Sequence, residues 1–185
     1  MRIILASQSP RRKEILREMG IDFECIPSNF SENNPDNLFG SDLVMYLAKN
    51  KALEVFNKNK DALVIGSDTI VCIDDEVLGK PIDREDCYRM LKKLSGRKHS
   101  VITGVAILSK DIIDVFYDEA FVEFKELSDE DIYSYMDTLE PFDKAGGYAI
   151  QGIGSRLVNK YDGDFYTIVG LPKEKVSNHI KKILK

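Results

Sequence analysis

An α/β fold, built on a central twisted mixed β-sheet with flanking helices, is the architecture this sequence predicts. Three observations lead to it. Short β-rich runs alternate with amphipathic helical stretches along the chain, the pattern of a sheet covered by helices. Strand candidates joined by turn residues also occur, so a purely parallel sheet fits less well. Finally, 185 residues with 43% hydrophobic and 31% charged side chains suit one ordinary globular domain, expected over residues 1–185. A chain of that length can bury about 70% of its unfolded surface without staples.

Each element follows from local chemistry. Residues 2–7 (RIILAS) read as a buried strand ending in small polar residues. Ser9 is the expected N-cap, with Pro10 at the first helical position and Gly20 closing the helix. A short strand is expected at 23–28, then a loop rich in Asn, Ser, Asp and Pro from Asn29 to Gly40. A helix from about Ser41 to Phe56 follows. Residues 62–66 (ALVIG) and 69–74 (TIVCID) read as two strands, with Asp74–Asp75 as a turn. Asp83 caps a helix that runs to Leu94 and stops at Ser95–Gly96. Residues 99–108 and 112–124 read as paired strands around a Ser109–Asp111 turn. Ser128 and Asp131 open a helix in a capping-box-like pattern. Strands at 156–161 and 164–169 are expected to form a hairpin about Asp162–Gly163, and Pro172 starts a basic terminal helix.

Composition excludes several function classes. The net charge of −5 argues against a non-specific nucleic-acid binder. No apolar run approaches the roughly 18 residues of a membrane span, and the Ile3–Ala6 run is too short for a signal peptide. Cys25, Cys72 and Cys87 show no CxxC spacing and read as reduced thiols of a cytoplasmic protein. His99 and His179 stand far apart, without zinc-site spacing.

Positive charge stands where it is not expected. A helix N-terminus already carries about half a positive charge, yet the helix after Ser9 opens with Arg11 and Arg12. Arg12, Ile15, Leu16 and Met19 share one face, so Arg12 extends the inward side. Solvation, or a salt bridge to a distant carboxylate, would account for an ordinary Arg pair. Here the pair follows a Ser-rich strand-to-helix turn, where backbone N–H groups favour an anion and arginine forks match phosphate oxygens. On the second helix, Lys51 falls among Leu43, Val44, Leu47, Ala48, Ala52 and Val55. It must either snorkel to the rim or meet an anion.

In VIGSDTIV, residues 64–71, Asp68 follows Gly66–Ser67 at the end of a strand. It is either a turn-forming Asp or a carboxylate held on the sheet, able to bind a divalent cation or position a water. Lys80 lies between Gly79 and Pro81, which restricts where its side chain points; an exposed loop lysine is the plain alternative. Residues 140–158 (EPFDKAGGYAIQGIGSRLV) are dense in glycine, which allows a backbone to approach a ligand closely. Within them Gln151 offers the donor and acceptor needed to read the edge of a planar base. Neither GxGxxG after a first strand nor GxxxxGK[ST] is present.

Together these segments resemble the Maf family of nucleoside triphosphate pyrophosphatases. The matching pieces are LASQSPRRKEIL, GSDTIVCIDDEVLGKP, LSGRKHSVITGVAI, EPFDKAGGYAIQG and YTIVGLP, in the family's order over essentially the whole chain. The resemblance implies a Maf/ITPase-like fold, two lobes around a deep cleft. It also implies hydrolysis of nucleoside triphosphates between the α and β phosphates, giving a monophosphate and pyrophosphate with Mg²⁺ or Mn²⁺. Asp68 falls on the family's catalytic aspartate, and Glu32 on the acidic residue that joins it in metal binding. Ser7, Ser9, Arg11, Arg12, Lys51 and Lys80 match the phosphate-binding positions. Arg11, Thr69 and Gln151 match the discriminating positions of the branch preferring dTTP and UTP. Gly147 and Ala149 depart from the family pattern, standing where many relatives have Ala and Gly. The expected partners are a nucleoside triphosphate and, at most, a second copy of the chain, with no membrane and no stable nucleic-acid partner. The competing class is a non-enzymatic nucleotide- or nucleic-acid-binding regulator of cell division. Within the enzyme class, the alternative is a broader or purine-directed pyrophosphatase.

Overall fold

The computed structural model describes residues 1–34 and 36–183. In chain order the elements are β1 (Ile3–Leu5), α1 (Pro10–Glu18), β2 (Glu24–Cys25), α2 (Gly40–Phe56), β3 (Leu63–Ile73), β4 (Glu76–Leu78) and α3 (Arg84–Leu94). There follow β5 (Lys98–Ser109), β6 (Ile112–Phe124), α4 (Asp129–Met136), β7 (Val158–Asp162), α5 (Phe165–Val169) and α6 (Lys173–Ile183). Three short 3₁₀ turns, Glu140–Asp143, Ala145–Gly147 and Gly152–Leu157, lie between α4 and β7. Strand order is β2-β1-β3-β5-β6-β7, with β4 paired to β3. β1 is parallel to both β2 and β3, whereas β3–β4 and β6–β7 are antiparallel. The mixed sheet predicted from the sequence is present.

The chain divides into two compact units. One comprises Met1–Thr69, Thr103–Asp118 and the chain from Gly170 onward; the other comprises Ile70–Ile102 and Glu119–Val169. In the first unit, Ile4, Ala6, Ala48, Ala52, Val55, Val64, Ala106 and Leu108 share a buried core. The helix α2 reaches this core through small residues. A Cβ at Gly66 would sit 2.5 Å from the Ala48 carbonyl oxygen and 2.8 Å from the Ala52 Cβ. At Gly104 it would sit 2.3 Å from the Val44 carbonyl oxygen. Helix and strand backbones meet almost directly at both glycines.

That contact corrects the expectation of two strands separated at Gly66–Ser67–Asp68. β3 runs unbroken from Leu63 to Ile73. Gly66 is there to admit α2, not to turn the chain, so Asp68 lies in mid-strand rather than at a strand end. The turn comes where Asp74 and Asp75 adopt left-handed backbones (φ 49° and 59°), and β4 returns along β3.

In the second unit, Val71, Leu78, Leu91, Leu94, Phe124, Tyr135 and Tyr148 pack together. Asp83 caps α3 by accepting from the Asp86 N–H, and Ser128 with Asp131 forms a full capping box on α4. His99 is buried, its Nε2 is 2.7 Å from the Tyr148 hydroxyl, and its ring edge meets Phe124 and Tyr148. The expected hairpin at 156–169 does not form. Val122 of β6 lies opposite Tyr161 of β7, and residues 165–169 are helical. The Asp164 carboxylate accepts from the Tyr166 N–H at 3.0 Å and the Thr167 hydroxyl at 3.4 Å, so this aspartate caps a helix instead of closing a hairpin.

Two measurements check these packing statements. Gly66→Ala forces a methyl against α2 backbone and is expected to cost about 2–3 kcal/mol in urea unfolding. Gly79→Ala has nothing within 4 Å of the added Cβ and should stay within about 0.5 kcal/mol of the parent. Burial lowers the His99 pKa from 6.5 to about 4. Between those values the unfolded chain binds the proton more readily than the folded one, so lowering the pH favours unfolding. Stability attributable to His99 should therefore be complete above pH 6.5 and fall by roughly 2–3 kcal/mol at pH 4.5. A His99→Gln variant should lose that part of the pH slope, read as the difference between two urea-unfolding series.

Candidate active site

Segments of the first unit that are distant in the chain meet at Asp68 and Thr69 of β3. The strand β1 ends at Leu5 and delivers Ser7, 8% exposed, whose Oγ accepts from the Ser9 N–H at 3.2 Å and from Arg12 Nη1 at 3.3 Å. Ser9 then caps α1 by accepting from the Arg12 N–H at 3.4 Å, with Pro10 opening the helix as expected. Both serines therefore shape the turn and hold Arg12. The Arg12 guanidinium also donates to the Gly170 carbonyl at 2.9 Å and to Thr69 Oγ1 at 3.2 Å. Burial pushes its pKa below the ordinary arginine value; the charge of Asp68 opposes this, while neighbouring Arg11 adds to it.

The second segment is α2, which presents Lys51. Lys51 does not snorkel. Its ammonium donates to Glu32 Oε1 at 2.6 Å and, more closely still, to Asp68 Oδ1. The Lys51 and Asp68 side chains are only 13% and 10% exposed, while Glu32 is 56% exposed. Of the two options open in the sequence, the anion is the correct one, and here that anion is a pair of protein carboxylates. The docking of α2 on Gly66 explains the reach, because Asp68 lies two residues further along the same strand.

Two hydrogen-bonded groups thus stand side by side, Arg12 with Ser7, Ser9 and Thr69, and Lys51 with Asp68 and Glu32, meeting at the consecutive strand residues Asp68 and Thr69, with Arg11 beside Arg12 in the chain. Three members of this site were not singled out in the sequence. Ser67 donates to the Gly170 carbonyl at 2.9 Å, that carbonyl also receives Arg12, and Thr103 lies 2.9 Å from Thr69 across a shared hydroxyl hydrogen bond. Gly170 is the signal that was available. Its φ is 120°, and an added Cβ would meet Thr69 Oγ1 at 3.3 Å and Arg12 Nε at 3.4 Å. It is the glycine of YTIVGLP.

Lys80 and Gln151 belong to the second unit, where both are exposed. The Gly146 N–H donates to the Gly79 carbonyl at 2.9 Å, which ties the loop of Lys80 to the glycine-rich segment of Gln151. The glycines of that segment admit the protein's own atoms. At Gly146 a Cβ would strike Val71, and at Gly154 it would lie 2.3 Å from the Ala149 carbonyl oxygen. Gly147, one of the two departures from the family pattern, has φ 72°, a backbone that suits glycine.

Among the described residues no three His, Cys, Asp or Glu side chains converge on a point. Asp68 and Glu32 do converge, on the Lys51 ammonium. Two carboxylates are the donor set from which Mg²⁺ or Mn²⁺ is commonly held, completed by phosphate oxygens and water. A cation already stands between them, so the donors fit such an ion.

The Maf family profile, described as "Maf-like protein", matches residues 2–183. The chain belongs to the Maf family. It is 51% identical over 181 residues to a Bacillus velezensis protein named dTTP/UTP pyrophosphatase, covering 98% of this chain and 96% of that one. A Caldicellulosiruptor bescii protein of the same name is 49% identical over 188 residues, covering 98% and 94% respectively. An Aquifex aeolicus protein, again so named, is 45% identical over 185 residues, covering 99% and 96%.

The Lys51–Asp68 pair carries a thermodynamic prediction for this Maf-family chain. Lys51→Met strands two carboxylates and is expected to cost about 3 kcal/mol in urea unfolding without divalent metal. The same substitution in an Asp68→Asn background should cost at least about 1 kcal/mol less. Equal costs in both backgrounds would disprove the pairing.

Proposed function

We propose that this chain hydrolyses nucleoside triphosphates, dTTP and UTP foremost and modified pyrimidine nucleotides with them, to the monophosphate and pyrophosphate. The observation that supports it most is the Asp68–Lys51–Glu32 network beside Arg12, in a chain whose Maf-family relatives are named for that activity. It places a carboxylate in mid-strand, on rigid scaffold, directly next to a group of cations. Arg12 and Lys51 supply positive charge against which a tri-anionic or tetra-anionic phosphate tail would bind, with Arg11 next to Arg12 in the chain. Such a reaction removes nucleotides from the cellular pool, a house-cleaning role.

In this proposal a water attacks the α-phosphorus, Asp68 orients it and accepts its proton, and the bond from the α-phosphorus to the bridging oxygen breaks. Pyrophosphate leaves with that electron pair. Arg11, Arg12 and Lys51 face the charge that grows on the leaving group, the term that usually contributes most to such catalysis. Ser7 and Ser9 hold the turn that aims Arg12. Asp68 and Glu32 would hold Mg²⁺ or Mn²⁺, which when bound acidifies water and neutralises phosphate charge. From the family resemblance, Lys80 is assigned to phosphate, and Arg11, Thr69 and Gln151 to base preference. Residues 1–185 act as one functional domain, in the cytoplasm, alone or as a homodimer. No helix among the described residues is long and apolar enough to cross a membrane.

Asp68→Asn keeps the side-chain shape and removes the proton acceptor and metal ligand. Its kcat for pyrophosphate release from dTTP with Mg²⁺ should fall on the order of 10²–10³-fold, with the circular dichroism spectrum unchanged. Parent protein that binds dTTP yet releases no pyrophosphate would instead mark a regulator. Asp68→Asn at parental rate would remove Asp68 from the chemistry.

A further inference from the structure

In the second unit, one carboxylate and one phenol hold both ends of the stretch that carries Gln151. The Ala149 N–H donates to the Tyr135 hydroxyl oxygen at 3.2 Å. That hydroxyl donates in turn to Glu140 Oε2 at 2.7 Å. The same oxygen accepts the Gly154 N–H at 2.7 Å, and Glu140 Oε1 accepts the Ile153 N–H at 3.2 Å. Between these anchors only Ile150, Gln151 and Gly152 remain. Gln151 is exposed and its side chain makes no hydrogen bond among the described residues, which leaves its amide free for a ligand.

The sequence around the anchors is cut to fit them. A Cβ at Gly152 would lie 2.5 Å from Glu140 Oε1, and one at Gly154 would lie 2.5 Å from the Tyr135 hydroxyl. Gly152 also has φ 68°. On the other side of the carboxylate, Leu139 takes a left-handed backbone, φ 63°, immediately before Glu140. Leucine rarely adopts that conformation, and it persists only where surrounding contacts impose it. Burial and the neighbouring Glu140 both raise the Tyr135 pKa, so the phenol stays protonated and remains a donor.

We infer that Glu140, held by Tyr135, is a positioning residue for Gln151: it clamps the Ala149–Gly154 stretch and fixes where the amide is presented to a nucleobase. The inference rests on the reading of Gln151 as the group that meets the base edge. A carboxylate is suited to the task because bonds from N–H and O–H donors to a charged acceptor are short and strong. A specificity group gains from such support, since a displacement of about 1 Å costs on the order of 10²-fold in rate.

The test compares kcat and KM for dTTP and dATP in the parent, Gln151→Ala, Glu140→Gln, Tyr135→Phe and the double variant Glu140→Gln/Gln151→Ala. Glu140→Gln should lower the dTTP-over-dATP ratio of kcat/KM on the order of 10-fold, mainly through KM for dTTP. Tyr135→Phe should act in the same direction, more weakly. The double variant should discriminate no worse than Gln151→Ala alone, because a support has nothing to do once the supported amide is gone. Amide exchange at Ile153 and Gly154 should quicken in Glu140→Gln. An unchanged ratio in Glu140→Gln and Tyr135→Phe, beside a lowered ratio in Gln151→Ala, overturns the positioning role alone. Losses that add in the double variant overturn it as well. If Gln151→Ala leaves the ratio unchanged, the base-reading assignment fails first and the positioning role with it. Should Glu140→Gln not fold, Tyr135→Phe decides.

Discussion

The near-contact of two backbones, α2 against β3 at Gly66, is the constraint from which the candidate site follows. Ala48 and Ala52 on the helix and the missing side chain on the strand let the elements approach to a distance that any Cβ would prevent. That approach brings the ammonium of Lys51 onto Asp68, two residues beyond the contact. A larger residue at position 66 would lift the helix away and leave a buried carboxylate and a buried ammonium apart, each costly in a low-dielectric setting.

Around that pair the charge is deliberately unequal in sign. Lys51 is matched by Asp68 and Glu32, yet Arg12 is held by neutral oxygens of Ser7, Thr69 and Gly170, with Arg11 as its neighbour. Neutral acceptors orient a guanidinium without cancelling its charge, so its field remains available to an incoming anion. The two carboxylates do double duty in this arrangement. They balance Lys51 in the free protein, and in the proposed reaction the same oxygens would serve as hard donors to a divalent ion.

The second unit solves a different problem, the stiffening of a glycine-rich loop. Glycine density loosens a chain by enlarging its conformational freedom. Here that freedom is removed again by Glu140, Tyr135 and the buried His99–Tyr148 contact. The loop gains tight turns from its glycines and rigidity from groups that pack into the space the glycines leave.

Much of this is legible in the sequence alone. Local signals were correctly read wherever a neighbour in sequence supplies the partner: Ser9 for α1, Asp83 for α3, Ser128 with Asp131 for α4, and the long β5–β6 pair. The charge conflict at Arg11, Arg12 and Lys51 was visible too, because it violates the rules for a helix terminus and a core face. The failures share one cause. Gly66–Ser67 looked like a turn and is a packing contact; Asp162–Gly163 looked like a hairpin and leads to a helix cap at Asp164. Glycine and aspartate each serve several backbone purposes, and the chosen one depends on what lies opposite.

By itself, then, the sequence determined the α/β class, most element identities, the family, and the residue types gathered at the candidate site, since these depend on composition, periodicity and contacts a few residues apart. Only the tertiary structure decided that Asp68 is in mid-strand, that Lys51 meets Asp68 and Glu32, that Gly170 seats Arg12, and that Glu140 holds the loop of Gln151. Each of those pairings joins residues distant in the chain. Their geometry is set by how closely helices and strands pack, a property of the folded solid rather than of any local stretch.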